Sequence, residues 1–286
     1  MVLISLKCNN SYQIFILTMI FIIILPISYI AINEMLSNDD QSFLKLNTQN
    51  PEVWQYFTHS FVHSSSNHLQ NNLISYFITI VLGLILSIYS KNLKIFLILI
   101  LITVFIFPLL WGLLRISYLN MIFPSLTECG SSGVISAFLG FLPCLFVLAI
   151  SNYYQKFLLF PEYFYSFLIL TAYLLQETYK TMNISITLWV LYFTFLILFL
   201  IFIILFFNKL RLTLNNKKSY FVVLGSIILF ILLYTFLVGT LFPQQLISEE
   251  GRTAIETHYI GVLFGLFTSY FLISLSENHR FKWLKC

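Results

Sequence analysis

Charge is scarce in this chain. Only 9% of its 286 residues are Asp, Glu, Lys or Arg, whereas 59% are hydrophobic and 18% aromatic. A soluble domain carries about a quarter charged residues because it must present a surface to water, so the composition excludes an ordinary soluble enzyme or binding module. Cysteine is scarce as well. Cys8, Cys129, Cys144 and Cys286 show no metal-ligand spacing and no dense framework, which leaves them as unpaired thiols and predicts no metal site. Also missing are an internal repeat, a soluble domain and a small-residue cleavage pattern after the first apolar run, so that run is expected to be a retained span. What remains is apolar sequence. A mean hydropathy of +0.90, in runs exceeding the roughly 18–20 residues that cross a hydrocarbon core, predicts an all-α polytopic membrane protein occupying 1–286 as a single membrane domain.

Apolar runs place eight expected spans at 13–33, 68–89, 93–114, 132–151, 162–176, 184–207, 220–241 and 255–275. The run 162–176 is the shortest and begins beside Glu162. Lysine and arginine set the orientation, because cytoplasmic loops retain them. With the N-terminus inside, the inner segments hold Lys7, Lys91, Lys94, Lys156, Lys209, Arg211, Lys217, Lys218, Arg280, Lys282 and Lys285. The outer segments hold Lys45, Arg115, Lys180 and Arg252. Eleven of 15 bases inside predicts cytoplasmic N- and C-termini. It also accounts for the net charge of +4 without a nucleic-acid or other acidic partner. Deleting the short span would put the basic 208–219 segment outside, so the charge pattern argues that it crosses.

Polar side chains at the mouths of apolar spans are costly and therefore functional candidates. His59, His63 and His68 precede or open the second span, with Asn72 one turn beyond His68. Positions four apart share a helix face, and an imidazole and a carboxamide there could both donate towards one developing oxyanion. Taken singly, these residues and the preceding Asn67 read first as helix caps. Gly130-Ser131-Ser132-Gly133 opens the fourth span. A serine between small residues at a helix start keeps its hydroxyl accessible beside free backbone N–H groups. Ser132, Ser136 and Gly140 continue as a small-residue stripe, as do Gly133 and Ala137. In the last span His258 stands three residues before Gly261, and Gly261 and Gly265 form a G-x-x-x-G packing face. Docking that face on the Ser132 stripe would carry the imidazole towards Ser132. Under the charge-derived topology, His68, Asn72, Ser132 and His258 all lie near the outer ends of spans running the same way.

Together these segments resemble the rhomboid intramembrane proteases. His63, His68 and Asn72 resemble the family's H-x4-H-x3-N, preceded by Glu52-Val53-Trp54 and Phe57-Thr58-His59. Gly130-Ser131-Ser132-Gly133 resembles its G-x-S-G, and His258, Gly261 and Gly265 resemble its H-x-x-G-x-x-x-G. The likeness covers about 52–275. It implies a six-helix core and a Ser132–His258 dyad without aspartate. His68, Asn72 and the Ser132 N–H would form the oxyanion hole, and His63 would order the first loop. It further implies a serine endopeptidase without a cofactor, acting on single-pass transmembrane proteins near the outer leaflet of the lipid bilayer. Three features depart from the family pattern: Trp54-Gln55 replaces Trp-Arg, Ser136 replaces a tyrosine common in bacterial members, and three spans rather than one separate serine from histidine. A helical pair inserted within about 152–219 accounts for the last, with 220–241 as the gate helix. The abundance of Ile, Phe, Asn and Lys points to an AT-rich prokaryotic genome and hence to a prokaryotic cell membrane. The alternatives are an inactive rhomboid-like protein that binds membrane clients, and a transporter. A transporter would carry its polar site at the span centres, whereas this polar cluster sits at the outer ends, which counts against transport.

Overall fold

The computed structural model describes residues 2–119, 121, 127–156, 158–178, 186–214, 216–241, 247–248, 251–252 and 255–277. Of the residues weighed above, Lys180, Arg280, Lys282, Lys285 and Cys286 lie outside these.

Lipid offers no hydrogen-bond partners, so an apolar segment must satisfy its backbone within itself, which a helix does. Among the described residues every expected span is helical, the third with a break at Ile106. The long helices are α1 (Val2–Met35), α4 (Ser66–Tyr89), α7 (Ser132–Tyr154), α8 (Pro161–Thr178), α9 (Ile186–Thr213), α10 (Lys217–Leu241) and α11 (Ile255–Glu277). The third run is broken into α5 (Leu93–Phe105) and α6 (Phe107–Leu114). Pro108, in the first turn of α6, supplies the reason, because it has no N–H to continue the ladder. Among the described residues seven helices are long and apolar enough to cross a membrane, and the chain is an integral multi-pass membrane protein. The segment Pro161–Thr178 is a helix but is not one of the seven.

The chain forms two compact units. One comprises Met1–Ile88, Asn92–Leu142 and Glu256–Cys286; the other, Tyr89–Lys91 and Pro143–Ile255. In the first, the Tyr76 hydroxyl donates to the Ile22 carbonyl at 2.8 Å, tying α4 to α1. Helices α4, α7 and α11 run parallel. Tyr76 packs on Phe138 eight residues beyond the His68–Gly130 contact, which itself joins α4 to the start of α7. Likewise Gly261 meets Gly133 and Gly265 meets Ala137.

The connection between α1 and α4 is folded rather than loose. Ser37 caps α2 (Asn38–Leu44) through the Asp40 N–H. Strand β1 (Leu46–Asn47) pairs antiparallel with β2 (Thr127–Glu128), Leu46 opposite Glu128. Gln55 opens α3 (Gln55–Thr58), and its buried carboxamide holds the loop. Oε1 accepts from the N–H groups of Asn47 and Glu52 at 3.1 and 3.2 Å, and Nε2 donates to the Phe43 carbonyl at 3.1 Å. A neutral amide fits here because its partners are all main-chain groups. Trp54 stacks on Phe43, with ring centroids 4.9 Å apart.

In the second unit α8 and α9 pack as an antiparallel pair. Tyr163 meets Phe206, Tyr165 meets Phe202, and Lys209 Nζ reaches both Glu162 oxygens at 3.1 and 3.2 Å. The charge that marks the start of the short span is thereby paired. Helix α10 lies parallel to α8 through Phe167–Phe230 and the Thr171–Tyr234 hydroxyl bond of 3.0 Å. This unit also holds a two-residue pair of strands, β3 (Ile247–Ser248) and β4 (Gly251–Arg252).

Candidate active site

Three helix starts meet within the first unit, and glycine is the reason they can. A methyl group added to Gly261 would strike the Gly133 carbonyl oxygen and lie 2.8 Å from Ser136 Cβ. One added to Gly265 would strike the Ala137 carbonyl oxygen, and one on Gly140 the Val262 oxygen. Helices α7 and α11 therefore touch backbone to backbone along the small-residue stripe, the close approach that such stripes permit in lipid. Ser136 is small for the same reason. Its hydroxyl turns back to the Ser132 carbonyl at 2.6 Å, and Gly261 occupies the space beside its Cβ.

This docking sets Thr257, the neighbour of His258, against Gly133, the neighbour of Ser132: a Cβ on Gly133 would lie 2.5 Å from Thr257 Cγ2. On the other flank His68 packs against Gly130, whose Cβ would meet His68 Cε1 at 2.9 Å. Gly130 has φ +119°, a conformation that side chains rarely adopt, so both its backbone and its surroundings demand glycine. His258 is buried and lies within electrostatic reach of His68. Ser132 is the first residue of α7 and is half-buried, as is His68. The structure thus brings His68, Gly130, Ser132, Gly133 and His258 into one cluster, with Asn72 one turn further along α4.

The capping role open to the histidines and Asn72 is filled by serine. Ser65 Oγ accepts the His68 N–H at 3.2 Å, so neither His68 nor Asn72 is needed as the cap. Ser64 Oγ lies 3.1 Å from His68 Nδ1. Asn72 is 8% exposed, yet its Nδ2 has no hydrogen-bond partner, and neither has the hydroxyl of Thr257. A buried donor without an acceptor costs about 1–3 kcal/mol, so each calls for an explanation.

His63 stands next to Ser131, not Ser132. Its Nε2 lies 3.0 Å from the Ser131 hydroxyl. Ser131 has no exposed surface, so no substrate carbonyl can reach it; a serine–imidazole contact alone does not make a nucleophile. Burial, then the nearby charge of His68, pushes the His63 imidazole down to about 3. Burial likewise pushes His59 down to about 4, its Nδ1 lying 2.8 Å from the Gln55 carbonyl oxygen. Both rings fold neutral. Between these values and the ordinary 6.5, the unfolded chain takes up protons that the folded chain refuses, so lowering the pH favours unfolding. The thermal midpoint in detergent is expected to hold steady above pH 7 and to fall steadily from about pH 6.5 towards pH 4. A midpoint flat across that window would show that these rings are not buried neutral.

Sequence reasoning missed several contributors. Arg115, counted among the outer bases, is buried in a 2.5 Å ion pair with Glu128, two residues before Gly130. Tyr29 and Asn33 of α1 reach the Ser131–His63 pair, and only their polarity at the end of an apolar run could have signalled it. Cys129 is a free thiol that burial pushes up, away from the thiolate a cysteine nucleophile needs. Cys144 is a buried thiol of α7 outside any disulfide. Among the described residues no cluster of His, Cys, Asp or Glu could hold a metal ion. A scan of protein-family models matches none, and neither the curated proteins nor the solved structures give a significant match.

Proposed function

We propose that this chain is a rhomboid-type intramembrane serine endopeptidase that cleaves single-pass transmembrane proteins near the outer leaflet. The observation that carries the reading is the meeting of three parallel helix starts, which gathers a helix-opening serine, a histidine and an unpartnered buried amide. Ser132 attacks the scissile carbonyl while His258 takes its proton, and the imidazolium returns that proton to the leaving amine. Water then attacks the acyl-enzyme with His258 again as base. The carbonyl oxygen becomes an oxyanion that accepts from the Asn72 amide, His68 and the N–H of Ser132. An oxyanion is the acceptor that Asn72 Nδ2 lacks, and a Ser64 hydroxyl donated to His68 Nδ1 would leave Nε2–H as a second donor. No cofactor enters these steps.

Parity supports the eight-span form of the reading. Helices α7 and α11 pack parallel, so an odd number of crossings must separate them in a membrane. Crossings by α9 and α10 make two, and α8 must supply the third. The antiparallel α8–α9 pair is then the insertion within a six-helix core. With the N- and C-termini cytoplasmic, the cluster lies on the outer side.

Purified protein in detergent, given a single-pass substrate, is expected to cut it near the outer end of its helix, and Ser132→Ala is expected not to. A wild-type protein that binds the substrate and leaves it whole would end the protease reading in favour of a client-binding protein. Asn72→Ala is expected to lower kcat by about a hundredfold, the cost of one oxyanion donor, with KM little changed.

A further inference from the structure

Ser131 is the residue before the proposed nucleophile, and its side chain is held entirely by groups outside α7. Its hydroxyl faces Tyr29 of α1, whose ring packs edge-on against His63 with centroids 5.7 Å apart, and lies 3.0 Å from His63 Nε2, while its N–H lies 3.5 Å from the same nitrogen. His63 is held in turn by Asn33, whose Oδ1 accepts the His63 N–H at 2.8 Å. Asn33 Nδ2 donates to the carbonyls of Tyr29 and Phe61 at 2.7 and 3.0 Å. One residue before Ser131, the Gly130 N–H donates to the His59 carbonyl at 3.0 Å. Tyr29, His63 and Ser131 are each no more than 3% exposed.

These bonds grip the turn before α7 at consecutive residues. They determine how the Ser131–Ser132 peptide is rotated, and so where the Ser132 hydroxyl and N–H point. Reaction rates are sensitive to that geometry, since a misplacement of about 1 Å can cost a hundredfold. We infer that Tyr29 and Asn33 of the first helix, acting through His63 and Ser131, are positioning residues for Ser132. The inference rests on the dyad reading. It makes α1, which lies outside the segment resembling the protease family, part of the apparatus that sets the rate.

Tyr29→Phe and Ser131→Ala each remove one hydroxyl. Each is expected to lower kcat on a single-pass substrate about tenfold at unchanged KM. Labelling of Ser132 by a fluorophosphonate should slow in parallel. Because both side chains act through His63 on the same turn, the double variant should be little worse than either single one, and Ser131→Thr, which keeps the hydroxyl, should recover most of the rate. Asn33→Ala should follow the same pattern; if it aggregates, Tyr29→Phe decides. Folded Tyr29→Phe and Ser131→Ala proteins with wild-type kcat would overturn the positioning role, while the loss of cutting in Ser132→Ala left the dyad standing. A wild-type protein that neither cuts nor labels at Ser132 would remove the dyad reading and this inference with it.

Discussion

His258→Ala is expected to lower kcat on a single-pass substrate by about 10,000-fold or more, with KM nearly unchanged. Ser132→Ala should do the same, and the double variant should be no slower than either single one. In the proposed dyad the two groups act as one unit. An alcohol is a poor nucleophile until a base takes its proton, and the base has nothing to do once the alcohol is gone. Any residual rate would come from the oxyanion donors and from substrate binding, which both variants keep. Losses that multiply in the double variant would show that the two residues act independently, and the Ser132–His258 assignment would fall.

Gly265→Leu is also expected to be strongly damaging, though Gly265 touches none of the reacting atoms. Its side chain would have to occupy space already filled by the Ala137 carbonyl, so α7 and α11 must separate. Overpacking of this kind costs about 1–3 kcal/mol, and the larger loss is geometric, because His258 rides on α11 and Ser132 on α7. Activity should fall at least about a hundredfold, with a lower thermal midpoint in detergent. Gly225 provides the control, since a Cβ there would meet nothing within 4 Å. Gly225→Ala should leave folding and cutting intact, whereas Gly265→Ala should already impair both. Equal effects at the two glycines would show that the contact between α7 and α11 does not hold the site together.

Much of this architecture was legible in the chain because lipid imposes a simple rule. A segment that cannot bond its backbone to solvent must be a helix, so apolar run length alone located α4, α7, α10 and α11 to within a few residues. The first helix runs well beyond its expected start, to Val2, because a helical backbone ladder continues through polar residues that the apolar pattern excludes. The break between α5 and α6 was equally hidden, although Pro108 was its visible cause. The candidate site was legible as spacing: Gly261 and Gly265 four apart, the stripe from Ser132 to Gly140, and His68 and Asn72 on one face.

What spacing could not convey is which partner each face would meet. Ser131 and Ser132 differ by one position, yet one is fully buried against Tyr29 and His63 and the other is only half-buried. Gln55 carries nothing in its identity to say that it would bond Asn47, Glu52 and Phe43. Arg115 reads as a loop cation until Glu128 is placed beside it. The sequence by itself determined the helices, their approximate ends and the small-residue faces, since these follow from local backbone chemistry and the exclusion of water. Only the tertiary structure decided which serine is reachable, which histidine braces a loop, and which amide lacks an acceptor, because burial and hydrogen bonding belong to pairs of distant residues brought together.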